Sequence, residues 1–553
     1  MPKNTWRATA AFKKLTNLRP IKRQRQLDTP IFKLHEDLLL QIFAHNARVD
    51  LTEPPAHIIL KRTSQVCITW RDIVVGSSTL WGRVIYISSF LLWKNGDHWA
   101  KEVLRRTGHA ALDVKWMEGR TSEQLKEELN LLNSVLTQHW TRIRSLDIVT
   151  LFRPGDLIPL AWDVFRQPAP LLEDVHFHFI KGAHEMFYDP KFSLFKDSAP
   201  LLHTFRARII PIKLHAPWVF NLRSLEFNWR FQLDEILNAF AAMPNLEALA
   251  LSNSPNPLEV GDDTSHLPNI VLPRLTLIKF EAFSYFEPVL HLLNHITASP
   301  SCCLEIDFTN NTMMEANFTQ IQAVISRYSH NYFTTQIPER ALLEFTDHVM
   351  GFKCYPNQFS LYLYGPPSPT FPTSLFLDIF IPCFHQLTTL ELRISPGTLS
   401  FSDPNIKPFI LSLPRLETLE ATNFVLTSLL HCPDDGHPVL PSLRKVKCID
   451  VQDHPLLLLA FLQRRKAIGL PIQTVTISED QWQIEGSSHD FSCLEEVTGL
   501  HFIREKVSEK TEYICGSGNP DRLIWEAPSN WLVPPLCGSP AVKKSAWSRF
   551  LGV

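Results

Sequence analysis

The stretch Pro244-Asn245-Leu246-Glu247-Ala248-Leu249-Ala250-Leu251 decides how this chain folds. It is a proline or polar lead followed by Leu-x-x-Leu-x-Leu, and in a strand the last two leucines fall on one side. With other apolar residues allowed at each slot, the pattern also stands at Ile143/Leu146/Ile148, Leu172/Val175/Phe177, Leu202/Phe205/Ala207, Leu222/Leu225/Phe227, Leu275/Ile278/Phe280 and Cys303/Ile306/Phe308. It resumes at Phe359/Tyr362/Tyr364, Leu387/Leu390/Leu392, Leu416/Leu419/Ala421, Leu443/Val446/Cys448 and Ile472/Val475/Ile477. Successive first slots lie 29, 30, 20, 24, 29, 28, 56, 28, 29, 27 and 29 residues apart. Since 56 is two spacings of 28, one degenerate repeat is expected between Cys303 and Phe359. Leu233/Ile236/Leu237/Phe240 and the run Leu456 to Leu462 have helical spacing or length and read as connecting helices.

A strand every 28 residues or so resembles the leucine-rich repeats, and the resemblance implies an α/β solenoid. Each unit leaves its apolar side open until the next stacks on it, so ten or more units make one curved array. The asparagine expected three residues past the last leucine is missing, and Asn253, Asn310 and Asn423 stand two past it instead. The array is therefore read as an irregular one. The non-leucine strand positions should line its concave side and carry recognition. Candidate target contacts are His176, Arg206, Arg208, Glu226, Lys279, Glu391 and Glu420, each of which is equally compatible with an ordinary solvated position.

Near the N-terminus, Leu34, Leu38 and Ile42 recur every four residues, with Leu39 and Phe43 beside them. Val66, Trp70, Ile73 and Val74 form a second apolar row, and Asp50 to Pro55 makes a loop between. The order Leu…Leu-Leu…Ile-Phe…Val-Cys…Trp-Arg…Leu-Trp resembles an F-box, with His35-Glu36 where that family usually has proline. The resemblance implies an all-helical module that docks on a Skp1-type adaptor and, through it, a cullin ubiquitin ligase. It also implies that Leu34, Leu38, Leu39, Ile42, Phe43, Val66, Cys67, Trp70 and Trp81 make the docking contacts. A unit of roughly 55 residues is too small to bury a strong core by itself, so its apolar faces need cover. The competing expectation is a scaffold or receptor whose N-terminal helices only cap the array.

The resulting organisation is a basic tail at 1–29, an F-box-like module at 30–83, a connector and cap at 84–140, the solenoid at 141–480, a C-terminal cap at 481–515 and a loop-rich tail at 516–553. The tail has no acid before Asp28 and reads as disordered, as a nuclear signal at Lys22-Arg23-Gln24-Arg25 or as a mitochondrial presequence. Over 553 residues, 45% hydrophobic and 20% charged are globular values, and a net charge of -2 argues against general nucleic-acid or membrane-surface binding. Ten scattered cysteines without a Cys-x-x-Cys pair suit reduced thiols in a cytoplasmic or nuclear protein. Nineteen glycines against 41 prolines disfavour phosphate-cradling loops, and no phosphate-loop, nucleophile-elbow or His-Glu-x-x-His motif occurs. His431, Cys432 and His437 lack a fourth ligand, so no metal or cofactor is expected. The expectation is a non-catalytic adaptor whose repeat domain holds an unidentified protein target.

Overall fold

The protein is described from a computed structural model. It covers residues 30–47, 54–91, 96–118, 122–150, 162–179, 193–208, 210, 212–228, 231–252, 266–283, 287–308, 318–355, 359–364, 377, 379–397, 406–431, 438–450, 455–478, 489–506 and 509–525. The basic tail and residues 526–553 lie outside the described residues, as does the Cys432 to His437 loop. The chain divides into two compact units, 1–283 with 287–299 and 284–286 with 300–553.

The first unit begins with four short helices, α1 (Glu36–Asn46), α2 (Ala56–Thr63), α3 (Ile68–Gly76) and α4 (Ser78–Gly82). The chain then enters a sheet of eight strands, all paired in parallel. In spatial order they are β1 (Ile85–Tyr86), β2 (Leu112–Met117), β3 (Ile143–Thr150), β4 (Asp174–Phe179), β5 (Thr204–Ala207), β6 (Ser224–Asn228), β7 (Ala248–Ser252) and β9 (Leu277–Phe283). A separate parallel pair joins β8 (Ile270–Leu272) to β10 (Ile296–Ala298). The second slot of every repeat is in register across the sheet, Leu146 with Val175, Phe205, Leu225, Leu249 and Ile278. Parallel strands require crossovers on one side, and the buried slots pack against them.

Those crossovers are partly helical and partly tight turns. Helices α5 (Ile87–Leu91), α6 (Gly96–Arg106), α7 (Ser122–His139), α8 (Leu233–Ala241) and α9 (Glu287–His295) connect some strands. Others are joined by 3-10 turns such as Leu194–Asp197, where Phe195, Lys196 and Asp197 take φ of 57°, 50° and 58°. This left-handed turn drops Phe195 between the rings of Trp140 and Trp218, at centroid distances of 6.2 and 5.6 Å. In the region 84–140, β1 and β2 extend the same sheet, and α7 connects β2 to β3.

The second unit departs from the expected plain stack. Its sheet runs in the order β11 (Cys303–Phe308), β14 (Ser360–Tyr364), β13 (Val349–Tyr355), β12 (Arg340–Phe345), β15 (Thr389–Ile394), β16 (Thr418–Thr422), β17 (Lys445–Asp450), β18 (Thr474–Ser478), β20 (His501–Lys506) and β21 (Glu509–Ile514). The gap between Cys303 and Phe359 holds the degenerate repeat as β12, whose buried Ala341 and Leu343 are in register with Leu390 and Leu392 and whose Glu339 carbonyl accepts from the N–H groups of Thr388 and Thr389. After α10 (Phe318–Thr335) the chain lays down β12 and doubles back through β13 to place β14 beside β11. This meander moves the register of its repeat by one residue. Leu361 and Leu363 take the buried slots, paired with Ile306 and Phe308, and Tyr362 and Tyr364 turn to the opposite face. A one-residue slip exchanges the two faces of a strand because the side-chain period is two.

Helices α11 (Ile406–Leu411), α12 (Asn423–Leu430) and α13 (Pro455–Ala467) cover the later strands. Buried Arg465 on α13 donates to the carbonyls of Val439 and Leu440 at 2.6 and 3.0 Å. Leu440 itself has a φ of 51°, so the guanidinium fixes a turn that its own side chain disfavours. At the C-terminal end the antiparallel β20–β21 hairpin closes the sheet. The loop-rich tail expected from residue 516 begins later than that: β22 (Ile524–Trp525) pairs with β19 (His489–Asp490), which ties 520–525 to the cap.

Two outcomes follow from this packing. Arg465→Ala leaves the Leu440 turn without its donors and should lower unfolding free energy by about 3 kcal/mol in chemical denaturation. His57 on α2 is fully buried beside Phe90, and desolvation, aided by the charge of Lys61, lowers its pKa from 6.5 to about 4. The unfolded chain then binds a proton that the folded one refuses. Stability should be full above pH 6.5 and fall as pH drops towards about 4, by roughly 3 kcal/mol at the limit. A His57→Phe variant should show a flatter melting profile over that interval.

Candidate functional site

Two surfaces carry the residues that the sequence singled out, and the first is the N-terminal helical module. The side chain of His35 caps α1, with Asp37 N–H donating to Nδ1 at 3.4 Å, and Glu36 and Asp37 place acids at the positive end of the helix. Cys67 caps α3 by accepting from Trp70 N–H at 3.4 Å. The indole of Trp81 donates to the Val74 carbonyl at 2.8 Å and so holds α4 to α3. Between α1 and α3 the rings of Phe43 and Trp70 meet edge to face, 4.9 Å apart.

These contacts divide the expected docking residues. Leu39, Phe43 and Trp81 are buried at 3, 2 and 1% exposure, so they build the module and cannot be surface contacts. Trp81 faces Trp99 and the guanidinium of Arg106, which joins the module to α6. Cys67, Trp70 and Leu34 are half-buried. Leu38, Ile42 and Val66, at 47, 41 and 57%, remain open, as do Ile68 and Val75 at 69 and 43%. Ile68 and Val75 were missed by the sequence reading, which followed Val66, Trp70, Ile73 and Val74. Their spacing of seven, two helical turns on one face, was the available signal. A cleft of about 370 Å³ lies on the module, lined by Leu40 and Ala44 of α1, Leu80 of α4 and Arg83 just past it.

The second surface is the face of each sheet that carries the non-leucine positions. In the first unit Asp147, His176, Arg206, Glu226, Ala250 and Lys279 stand in register on adjacent strands. Asp147 lies 3.0 Å from both Lys115 Nζ and His176 Nδ1. Burial pushes its carboxyl up, but the His176 hydrogen bond and the Lys115 charge outweigh that and hold it below its ordinary value. Arg208 reaches Glu226 at 2.6 Å and also pairs with Glu281, which Lys279 meets at 2.7 Å. Burial lowers the His178 pKa, and the Arg208 charge adds to the effect. Of the candidates here, Arg206 is exposed and makes no ion pair among the described residues, whereas the others are engaged.

In the second unit the expected contacts Glu391 and Glu420 turn out to be buried, at 5 and 8% exposure. Arg340 bridges them at 3.0 and 3.1 Å, Arg393 Nε donates to Glu391 at 2.8 Å, and Lys447 stands 3.8 Å from Glu420. Two adjacent carboxylates are tolerated at neighbouring strand positions because the arginines offset their repulsion. These glutamates are an internal clamp of the sheet and are removed from the target surface. For a metal, among the described residues, Glu173, Asp174 and His203 have ligand atoms within 4.8 Å of one another. His203 Nδ1 already lies 3.5 Å from Asp174 Oδ1, as an ordinary half-exposed pair would.

No family model matches the chain, and no curated protein matches it. Among solved structures it is similar to the leucine-rich repeat-containing protein LegL7 from Legionella pneumophila. The two are 12% identical, over 56% of this chain and 93% of that one, with a TM-score of 0.22. So loose a superposition carries nothing further. Among the described residues, no helix is long and apolar enough to cross a membrane.

The division between buried and open leucines has a direct consequence. Leu39→Ala should cost about 2–5 kcal/mol as a core cavity, and its exposed neighbour Leu38→Ala less than about 0.5 kcal/mol, measured by urea denaturation. Equal losses would reverse the assignment of the two faces.

Proposed function

We propose that this protein is a substrate-recognition subunit of a Skp1–cullin–F-box ubiquitin ligase. The observation that carries the reading is the set of exposed apolar side chains Leu38, Ile42, Val66, Ile68 and Val75 on a helical module whose Leu39, Phe43, Ile73 and Trp81 are sealed. Large aliphatic side chains left in water on two touching helices lose free energy until a partner covers them, at roughly 25 cal/mol per Å² of apolar surface. The order of the motif residues resembles the F-box, whose known partner is the Skp1-type adaptor. The repeat units supply a broad face of paired strands with charged positions in register, a surface suited to holding a protein target. The complex would then act by proximity, keeping a target lysine near the charged ubiquitin carrier without chemistry from this chain.

A second reading has an observation in its favour. Trp81, His57 and Trp99 weld the module to the start of the sheet, as they would in a scaffold whose helices serve only as a cap. Capture of the full chain by purified Skp1 separates the two. The intact protein should be retained, and Leu38→Arg with Val66→Arg should abolish retention without changing the melting temperature, because both positions are exposed. Failure of the intact protein to bind Skp1 would leave the scaffold reading.

A further inference from the structure

The meander in the second unit places a set of residues side by side that no repeat pattern brings together. On the face carrying the charged positions, Asp307, Tyr362, Gly351, Glu344 and Arg393 are successive register partners across β11, β14, β13, β12 and β15. Gly351 is required at the centre, since a Cβ there would collide with the ring of Tyr362. The Tyr362 ring therefore lies across β13, towards Glu344. Tyr364 stacks on it at a centroid distance of 5.9 Å and an interplanar angle of 18°, and is 40% exposed.

The same face shows what such a group accepts. Next along β13, the ring of Tyr355 carries the Arg340 guanidinium at 5.2 Å, and Arg340 also reaches Glu391 and Glu420. There an aromatic ring, an arginine and carboxylates close on one another. Around Tyr362 the aromatic ring and a carboxylate, Glu344, recur, and the adjacent Arg393 gives its N–H donors to Glu391. Glu344 is half-buried and makes no hydrogen bond or ion pair among the described residues. Burial raises its pKa, and the nearby Arg393, hydrogen-bonded to Glu391, only partly offsets this. Lys353 stands 5.4 Å over Tyr355.

We propose that the stacked Tyr362–Tyr364 pair, with Glu344 beside it, is a receptor for an arginine side chain presented by a partner protein. A planar guanidinium stacks on a tyrosine face and offers a fork of N–H donors to a carboxylate, which a lysine ammonium cannot match. The site is independent of the adaptor reading, since it lies in the second unit and does not involve the N-terminal module.

The test uses the full-length chain and fluorescent Gly-Ser peptides bearing three arginines, three lysines or three citrullines, read by anisotropy. The arginine peptide should bind about ten-fold or more tightly than the citrulline peptide, and more tightly than the lysine peptide. Glu344→Gln and Tyr364→Ala should each remove most of that preference, and Leu38→Arg should leave it unchanged even if it abolishes Skp1 capture. Tyr364 is exposed, so its variant decides the matter should Glu344→Gln disturb folding. Equal binding of the arginine peptide and either of the others, or a preference that survives both variants, would overturn the proposal.

Discussion

Seven of the twelve repeats read from the sequence are fastened to the next by one backbone carbonyl, and the rest of the fold depends on that link. The residue after the first apolar slot, polar in all but the Cys303 repeat, accepts in these seven from two successive N–H groups of the following unit. Glu173 O accepts from His203 and Thr204 at 2.9 and 3.2 Å, His203 O from Arg223 and Ser224 at 2.8 and 3.0 Å, and Arg223 O from Glu247 and Ala248 at 2.7 and 2.9 Å. In the second unit Thr388, Glu417 and Arg444 do the same. A carbonyl has two lone pairs, so this single group can fix where the next strand starts. With the start fixed, the second and third slots fall into register and bury together. Nearest-neighbour coupling of this kind is what lets irregular connectors of very different length serve one sheet.

The same rigidity limits what the exposed face can do. Strand positions at fixed spacing bring charges close whether or not they attract, and the sheet answers with local pairs. Arg208 between Glu226 and Glu281, and Arg340 between Glu391 and Glu420, are examples. Their side chains are partly desolvated, and removing one partner would strand the other charge. Charged positions on such a face are therefore divided between holding the sheet and meeting a partner. Arg206 and Glu344 belong to the second group because no hydrogen bond or ion pair among the described residues holds them.

The N-terminal module shows a parallel division. Trp81 and His57 are committed inward, against Trp99 and Phe90, while Leu38 and Ile42 one helix away face water. A segment this small gains its stability from the unit it is fused to, which frees its other face for a separate purpose.

Periodicity alone determined eleven of the twelve repeat strands, all but the one at Phe359, because an apolar slot must point inward wherever a sheet is covered on one side. It also determined helices α8 and α13, whose spacing or length is helical. Only the tertiary structure decided which side of each N-terminal helix is sealed, since Leu38 and Leu39 are chemically identical and their neighbours alone distinguish them. It likewise decided the reversal through β12 and β13, which no spacing announces because an antiparallel strand alternates as a parallel one does. That reversal moved Leu361 and Leu363 inward and Tyr362 and Tyr364 outward. A strand's composition fixes that it alternates, but only its neighbours fix which face is which.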